Sequence, residues 1–153
     1  MSFSFLGVAK KYSRLLGFAM DPLSILASTV TLCDGALTVL QVFKTAHNAP
    51  KEIKRLVDEV AGLKAVIGWA TSVVQDPHFR HALPSSQCSG LNAAIDDVNS
   101  KLHKLCETVQ YCSRITGAGR LLLLRKINKI KSQRQELNDV KLNLIIALEA
   151  INL

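Results

Sequence analysis

Between Pro22 and Phe43 the chain carries one charged residue, Asp34. A stretch this long and this apolar must sit at the centre of a helical bundle or seek a membrane. Asp21-Pro22 marks its start, since Asp caps helix N-termini and Pro suits the first position, where its missing N–H would be unpaired anyway. Leu23, Leu26, Val30, Leu37 and Leu40 form one stripe, and Ile25, Leu32, Ala36, Val39 and Phe43 cover much of the rest. This reading puts Leu26 and Leu37 on the buried face, with Ile25 and Val39 opposite and only partly buried. A permanent transmembrane span is disfavoured, because Asp34 near the middle costs roughly 2.5–3.5 kcal/mol on insertion scales. Ser24, Ser28, Thr29 and Thr31 dilute the run further.

Three more helices follow. His47-Asn48-Ala49-Pro50 breaks the first, since the residue before proline avoids the α region. The second runs from Lys51 to Gln75, with Ile53, Leu56, Val57, Val60, Leu63, Ile67, Ala70 and Val74 at three- and four-residue steps and Trp69 as an anchor near its end. Asp76 to Gly90, rich in Pro, Ser and Gly, reads as a surface loop. The third helix spans Leu91 to Cys112 on the stripe Leu91, Ala94, Ile95, Val98, Leu102, Leu105 and Val109. After Thr116-Gly117-Ala118-Gly119, the last starts near Arg120, on Leu124, Ile127, Ile130, Leu137, Val140 or Lys141, Leu144, Leu148 and Ile151. Hydrophobic residues make up 48% of the chain and aromatics 5%, a balance that suits helices better than sheets. The expected fold is all-α: a bundle of four antiparallel helices over residues 20–153, preceded by a basic amphipathic extension, 1–19.

That extension holds Lys10, Lys11 and Arg14 without an acid, among Phe3, Phe5, Leu6, Val8, Leu15, Leu16 and Phe18. Its charge interrupts the apolar core of a secretory signal, leaving a membrane-surface segment, a transit peptide, or a loosely attached tail before an alternative start at Met20. Cys33, Cys88, Cys106 and Cys112 form no CxxC pair and read as free thiols in a reducing compartment.

Chemistry finds little to work with. His78 and His81 near Cys88, or His103 three residues from Cys106, each offer zinc two ligands where a structural site needs four. No GxSxG motif is present, and Gly117-Ala118-Gly119-Arg120 lacks the Lys-Ser/Thr of a phosphate-binding loop. The expectation is no enzyme, no cofactor and no metal.

The net charge of +7 calls for acidic partners or a solvated basic face. Its densest run holds Arg120, Arg125, Lys126, Lys129, Lys131 and Arg134, with no acid before Glu136. The residues between are Leu121 to Leu124, Ile127 and Ile130. Leucine beside arginine suits an acidic lipid surface or a partner helix better than a nucleic-acid base.

From Met20 to Ile67 the sequence resembles the opening of the N-terminal domains of fungal STAND (NLR-like) receptors. The resemblance rests on MDPLSI, the small-residue-rich first helix, APKEIKRL and the Glu/Val/Leu helix that follows. KINKIKSQRQELNDVKLNLIIALEAI is similar to the last helix of that family. Residues 1–19 lie outside the pattern. The resemblance implies a HeLo-like bundle, an effector of programmed cell death, innate immunity or heterokaryon incompatibility that is cytoplasmic until activation. Its implied partners are further copies of itself, anionic membrane lipids and a downstream nucleotide-binding domain of the full gene. It also implies that the first helix (Leu23, Ile25, Leu26, Val30, Leu32, Asp34, Leu37, Val39 and Phe43) is the membrane-active element; Asp34, placed where an acid could line a pore, is matched to no position of that family. The alternative is an adaptor or oligomerisation bundle without membrane activity.

Overall fold

The computed structural model describes residues 21–45, 50–82, 85–114 and 125–151, without the side chains of residues 80–82, 85 and 86. The 1–19 extension, the Thr116–Gly119 break, Arg120 and Leu121 to Leu124 lie outside these residues, as does most of the first break. The described residues form helices α1 (Pro22–Lys44), α2 (Lys51–Gln75), α3 (Pro77–Ala82), α4 (Ser85–Arg114) and α5 (Ile127–Ile151), with no strand among them. The fold is an all-α bundle.

Asp21 caps α1 through Oδ1, which accepts the Leu23 N–H at 3.4 Å, and Pro22 fills the first position. The same dipeptide recurs downstream. Asp76 ends α2, and its Oδ1 accepts the His78 N–H at 2.9 Å to open α3 at Pro77. The loop expected from Asp76 to Gly90 is therefore largely helical, and α4 starts six residues earlier than Leu91. A Cβ at Gly90 would meet nothing within 4 Å, so glycine there costs only its propensity, about 1 kcal/mol relative to Ala.

The α2 stripe is buried as its periodicity predicts, from Ile53 to Val74, with Trp69 half-buried against it. On α4, all seven stripe residues are buried and are joined by Cys106 and Cys112. On α5, Val140 rather than Lys141 faces the core; Lys141 turns to Glu59 of α2, Nζ to Oε1 at 2.7 Å. On α1 the buried face is Ile25, Leu26, Thr29, Leu32, Cys33, Ala36 and Leu40. This corrects the expected facing: Ile25 is buried, while Leu37 is half-buried beside Leu23, Val30, Val39 and Phe43.

Pairing between helices shows the topology. Thr29 and Leu32 of α1 meet Asn99 and Cys106 of α4 in the same order, so these neighbours are parallel. Glu52 and Glu59 of α2 meet Arg134 and Lys141 of α5, again in the same order. Lys101 pairs with Glu136, and Lys126 lies over Tyr111, so α4 and α5 are antiparallel. The order around the bundle is α1, α2, α5, α4. Helices α2 and α4 are diagonal, joined across one end by the segment that carries α3. Two of the four neighbouring interfaces are thus parallel, where an all-antiparallel arrangement is expected from short breaks alone.

Candidate functional site: the basic end of the bundle

This topology brings the C-termini of α1 and α4 to the same end as the N-termini of α2 and α5. The last eight residues of α1 and α4, the first eight of α2 and α5, and the lead-in at Arg125 and Lys126 contribute ten Lys or Arg against three carboxylates. The cations are Lys44, Lys51, Lys54, Arg55, Arg114, Arg125, Lys126, Lys129, Lys131 and Arg134; the acids are Glu52, Asp58 and Glu107. The corresponding turns at the other end, with Asp21 and the 76–82 connection, hold Asp21, Asp76 and Glu149 against Arg80. The bundle is electrically polar along its axis.

Half of these cations stand in or just before a helix's first turn, where the helix disfavours them. The positive pole of the helix dipole lies at the N-terminus, so a cation in the first turn is unfavourable by roughly 0.3–1 kcal/mol. Lys51 and Lys54 begin α2, whose N-cap, Pro50, provides no side-chain acceptor. Arg125, Lys126, Lys129 and Lys131 crowd the start of α5, whose first turn has no acid. Glu52 offsets part of this charge by holding Arg55 at 3.0 Å and Arg134 at 3.2 Å. Burial pushes the Glu52 carboxyl up, but Arg134 and Arg55 outweigh it and keep the group below its ordinary range.

The basic run on α5 divides on folding. Arg125, Lys129 and Lys131 are exposed; Lys126 is half-buried, its ammonium 4.6 Å from the Tyr111 ring centroid. Arg134, half-buried, turns to α2 and pairs with Glu52, so it meets solvent less than the rest of the run. Sequence reasoning missed Lys44, Lys51, Lys54, Arg55 and Arg114, because they lie outside this run along the chain. Two exposed apolar side chains share this end, Val42 at 68% and Tyr111 at 50% exposure. An exposed surface that mixes cations with apolar groups can hold anionic, amphipathic surfaces.

Helix α1 runs from the acidic end to the basic one. Its best 18-residue window has a mean hydropathy of 1.7, and only 39% of that window is buried. Of the residues expected to dilute it, Thr29 and Thr31 are satisfied within the helix, their hydroxyls donating to the carbonyls of Ile25 and Ala27, and Thr38 likewise donates to that of Asp34. Such back-bonding lowers the penalty of placing a hydroxyl in an apolar medium. Polar contacts tie α1 to its neighbours. Asn99 Nδ2 donates to Thr29 Oγ1 at 2.8 Å, Cys106 Sγ to the Leu32 carbonyl at 3.5 Å, and Lys64 pairs with Asp34.

The candidate zinc pairs fare differently. Cys106 is buried against α1, and burial, with Cys33 and Glu107 nearby, raises its thiol well above the ordinary range. Burial likewise pushes Cys33 up to about 12, Asp34 adding to the rise and Lys64 opposing it. Thiols held in that form are poor metal ligands and poor nucleophiles. Among the described residues, no three His, Cys, Asp or Glu side chains gather as a metal site would require, and the side chain of His81 lies outside them.

No family model, curated protein or solved structure matches the chain.

Proposed function

We propose that this bundle is the membrane-targeting effector domain of a fungal NLR-like protein, acting in programmed cell death or heterokaryon incompatibility. The observation that carries the reading is the basic end: ten cations drawn from four helices, several at helix N-termini where they oppose stability. An anionic surface would relieve that repulsion, at about 1 kcal/mol for each Lys or Arg near the headgroups. Docking by this end presents Val42 and Phe43, the last turn of α1, to the lipid. Self-assembly then concentrates several copies of α1, an apolar helix whose threonine hydroxyls are satisfied internally, and the helix leaves the bundle to permeabilise the bilayer.

The test is co-sedimentation with anionic and neutral vesicles, paired with dye release. Binding is expected only to anionic vesicles, weakening with salt, and dye release only once copies are brought together by a fused oligomerisation tag. Binding to neutral vesicles as strong as to anionic ones would end the electrostatic part. Tight anionic binding without dye release, even when forced to oligomerise, would end the effector part.

A second reading has its own support. Leu142 and Ile146, 47% and 63% exposed, lie four residues apart on the outer face of α5, away from the basic end. Such a pair suits a partner helix. On that reading the bundle is an adaptor, and Ile146→Asp would abolish partner binding while leaving vesicle binding intact.

A further inference from the structure

A cleft of about 230 Å³ opens between α4 and α5 at the basic end, lined by Lys104, Glu107, Thr108, Tyr111, Lys126, Lys129 and Gln133. Its space equals that of about eight water molecules at liquid density, enough for a phosphate and the first atoms of whatever carries it. The lining includes three lysines, Lys104, Lys126 and Lys129, and one carboxylate, Glu107, a formal net charge of +2. A phosphate monoester, close to a dianion at neutral pH, matches that charge; a diester, with one negative charge, does not. Lys126 is held in place by its stacking on the Tyr111 ring.

The polar residues around the cleft sit where core positions should be apolar. On the α5 stripe, position 133 follows Ile130 and precedes Leu137, yet it is a glutamine only 8% exposed. Gln133 Nε2 donates to the Lys104 carbonyl at 3.3 Å and to Thr108 Oγ1 at 3.1 Å, and Thr108, 5% exposed, in turn donates to that same carbonyl. These acceptors orient the amide. They leave Gln133 Oε1 buried without a donor among the described residues. An orphaned amide oxygen in a bundle core disfavours the fold for no packing gain. The Gln133 side chain closes one wall of the cleft.

We propose that the α4–α5 cleft is a selective site for a phosphate monoester, carried on a lipid headgroup or on a small soluble molecule. This rests on the basic end being an anion-binding surface and adds selectivity to it.

The test compares binding of the full chain to vesicles containing phosphatidic acid, a monoester, with binding to vesicles of phosphatidylglycerol, a diester, at matched surface charge. The wild type is expected to prefer phosphatidic acid at least fivefold. The variant Lys126→Gln/Lys129→Gln should fall to within twofold. Lys51→Gln/Lys54→Gln, which removes the same charge outside the cleft, should bind both vesicles more weakly and keep the preference. Inorganic phosphate, titrated against chloride at equal ionic strength, should shift the NMR signals of the Gln133 side-chain amide and the Thr108 backbone.

A phosphate-induced shift without a vesicle preference supports the site for soluble monoesters. A shift without any vesicle binding also supports the cleft, while the surface reading falls. No shift and equal binding to both vesicles would overturn the cleft and leave the surface reading standing. A preference that survives in Lys126→Gln/Lys129→Gln would overturn it too.

Discussion

The Asp34 carboxylate on α1 and the Lys64 ammonium on α2 stand 2.6 Å apart, so the one charge between Pro22 and Phe43 is neutralised by its neighbour. Asp34 raises Lys64 above its ordinary range, by hydrogen bonding first and by charge second. Both side chains are about half exposed, and exposed pairs contribute roughly 0–1 kcal/mol. Lys64→Met should therefore leave the bundle folded, with a loss within that range on urea denaturation. Asp34→Leu should be equally mild for folding and should increase dye release, because it removes the roughly 2.5–3.5 kcal/mol that a buried aspartate costs in hydrocarbon. Unchanged release in Asp34→Leu would mean that α1 does not enter the bilayer.

Leu26 and Leu37 should differ. Leu26 is 1% exposed, and truncation to Ala should cost about 2.7–5 kcal/mol through lost burial and the cavity left behind. Leu37 is half-buried and should lose less than half as much. Denaturant melts of the two variants measure this directly; equal losses would place Leu37 in the core.

Ile25 and Val39 no longer form a matched pair of probes. Ile25 is 8% exposed, so Ile25→Glu buries an unpaired charge and should prevent folding. Val42, at 68% exposure, is the better site: Val42→Glu should change stability by under about 0.5 kcal/mol and still suppress dye release. Val39→Glu, on a half-buried residue, should fall between the two. Circular dichroism and dye release on the same samples separate misfolding from loss of membrane activity.

Glu52 predicts an acid-side transition. Its folded-state carboxyl lies below the ordinary value of 4.5, so its contribution to stability is present above that value and lost as pH falls through the lower, folded one. In Arg134→Met the Glu52 titration, followed by carboxyl NMR, should move up toward 4.5, and the acid loss of stability should become shallower. A titration that stays low would assign the effect to Arg55 alone.

Periodicity made much of this fold legible. The bounds of α2, its whole buried stripe, the seven apolar positions of α4 and the capped start of α1 follow from local rules: 3.6 residues per turn, a cap at the start and a proline where an N–H is dispensable. The candidate site was legible only in part. The α5 basic run stands out along the chain, but its division between solvent, Tyr111 and Glu52 depends on helices distant in sequence.

Amino-acid order alone determined that this chain is helical and which faces of its helices are apolar, because both properties are set within a few turns. Only tertiary structure decided which face of the nearly uniform α1 is most buried, since a helix apolar on every side has no preferred inward direction until its neighbours choose one. It also decided that α2 and α4 lie diagonally, and so which helix ends share a surface. The gathering of Lys44, Lys51, Arg114 and Lys129 at one end comes from that crossing, because each belongs to a different helix and no local rule links them.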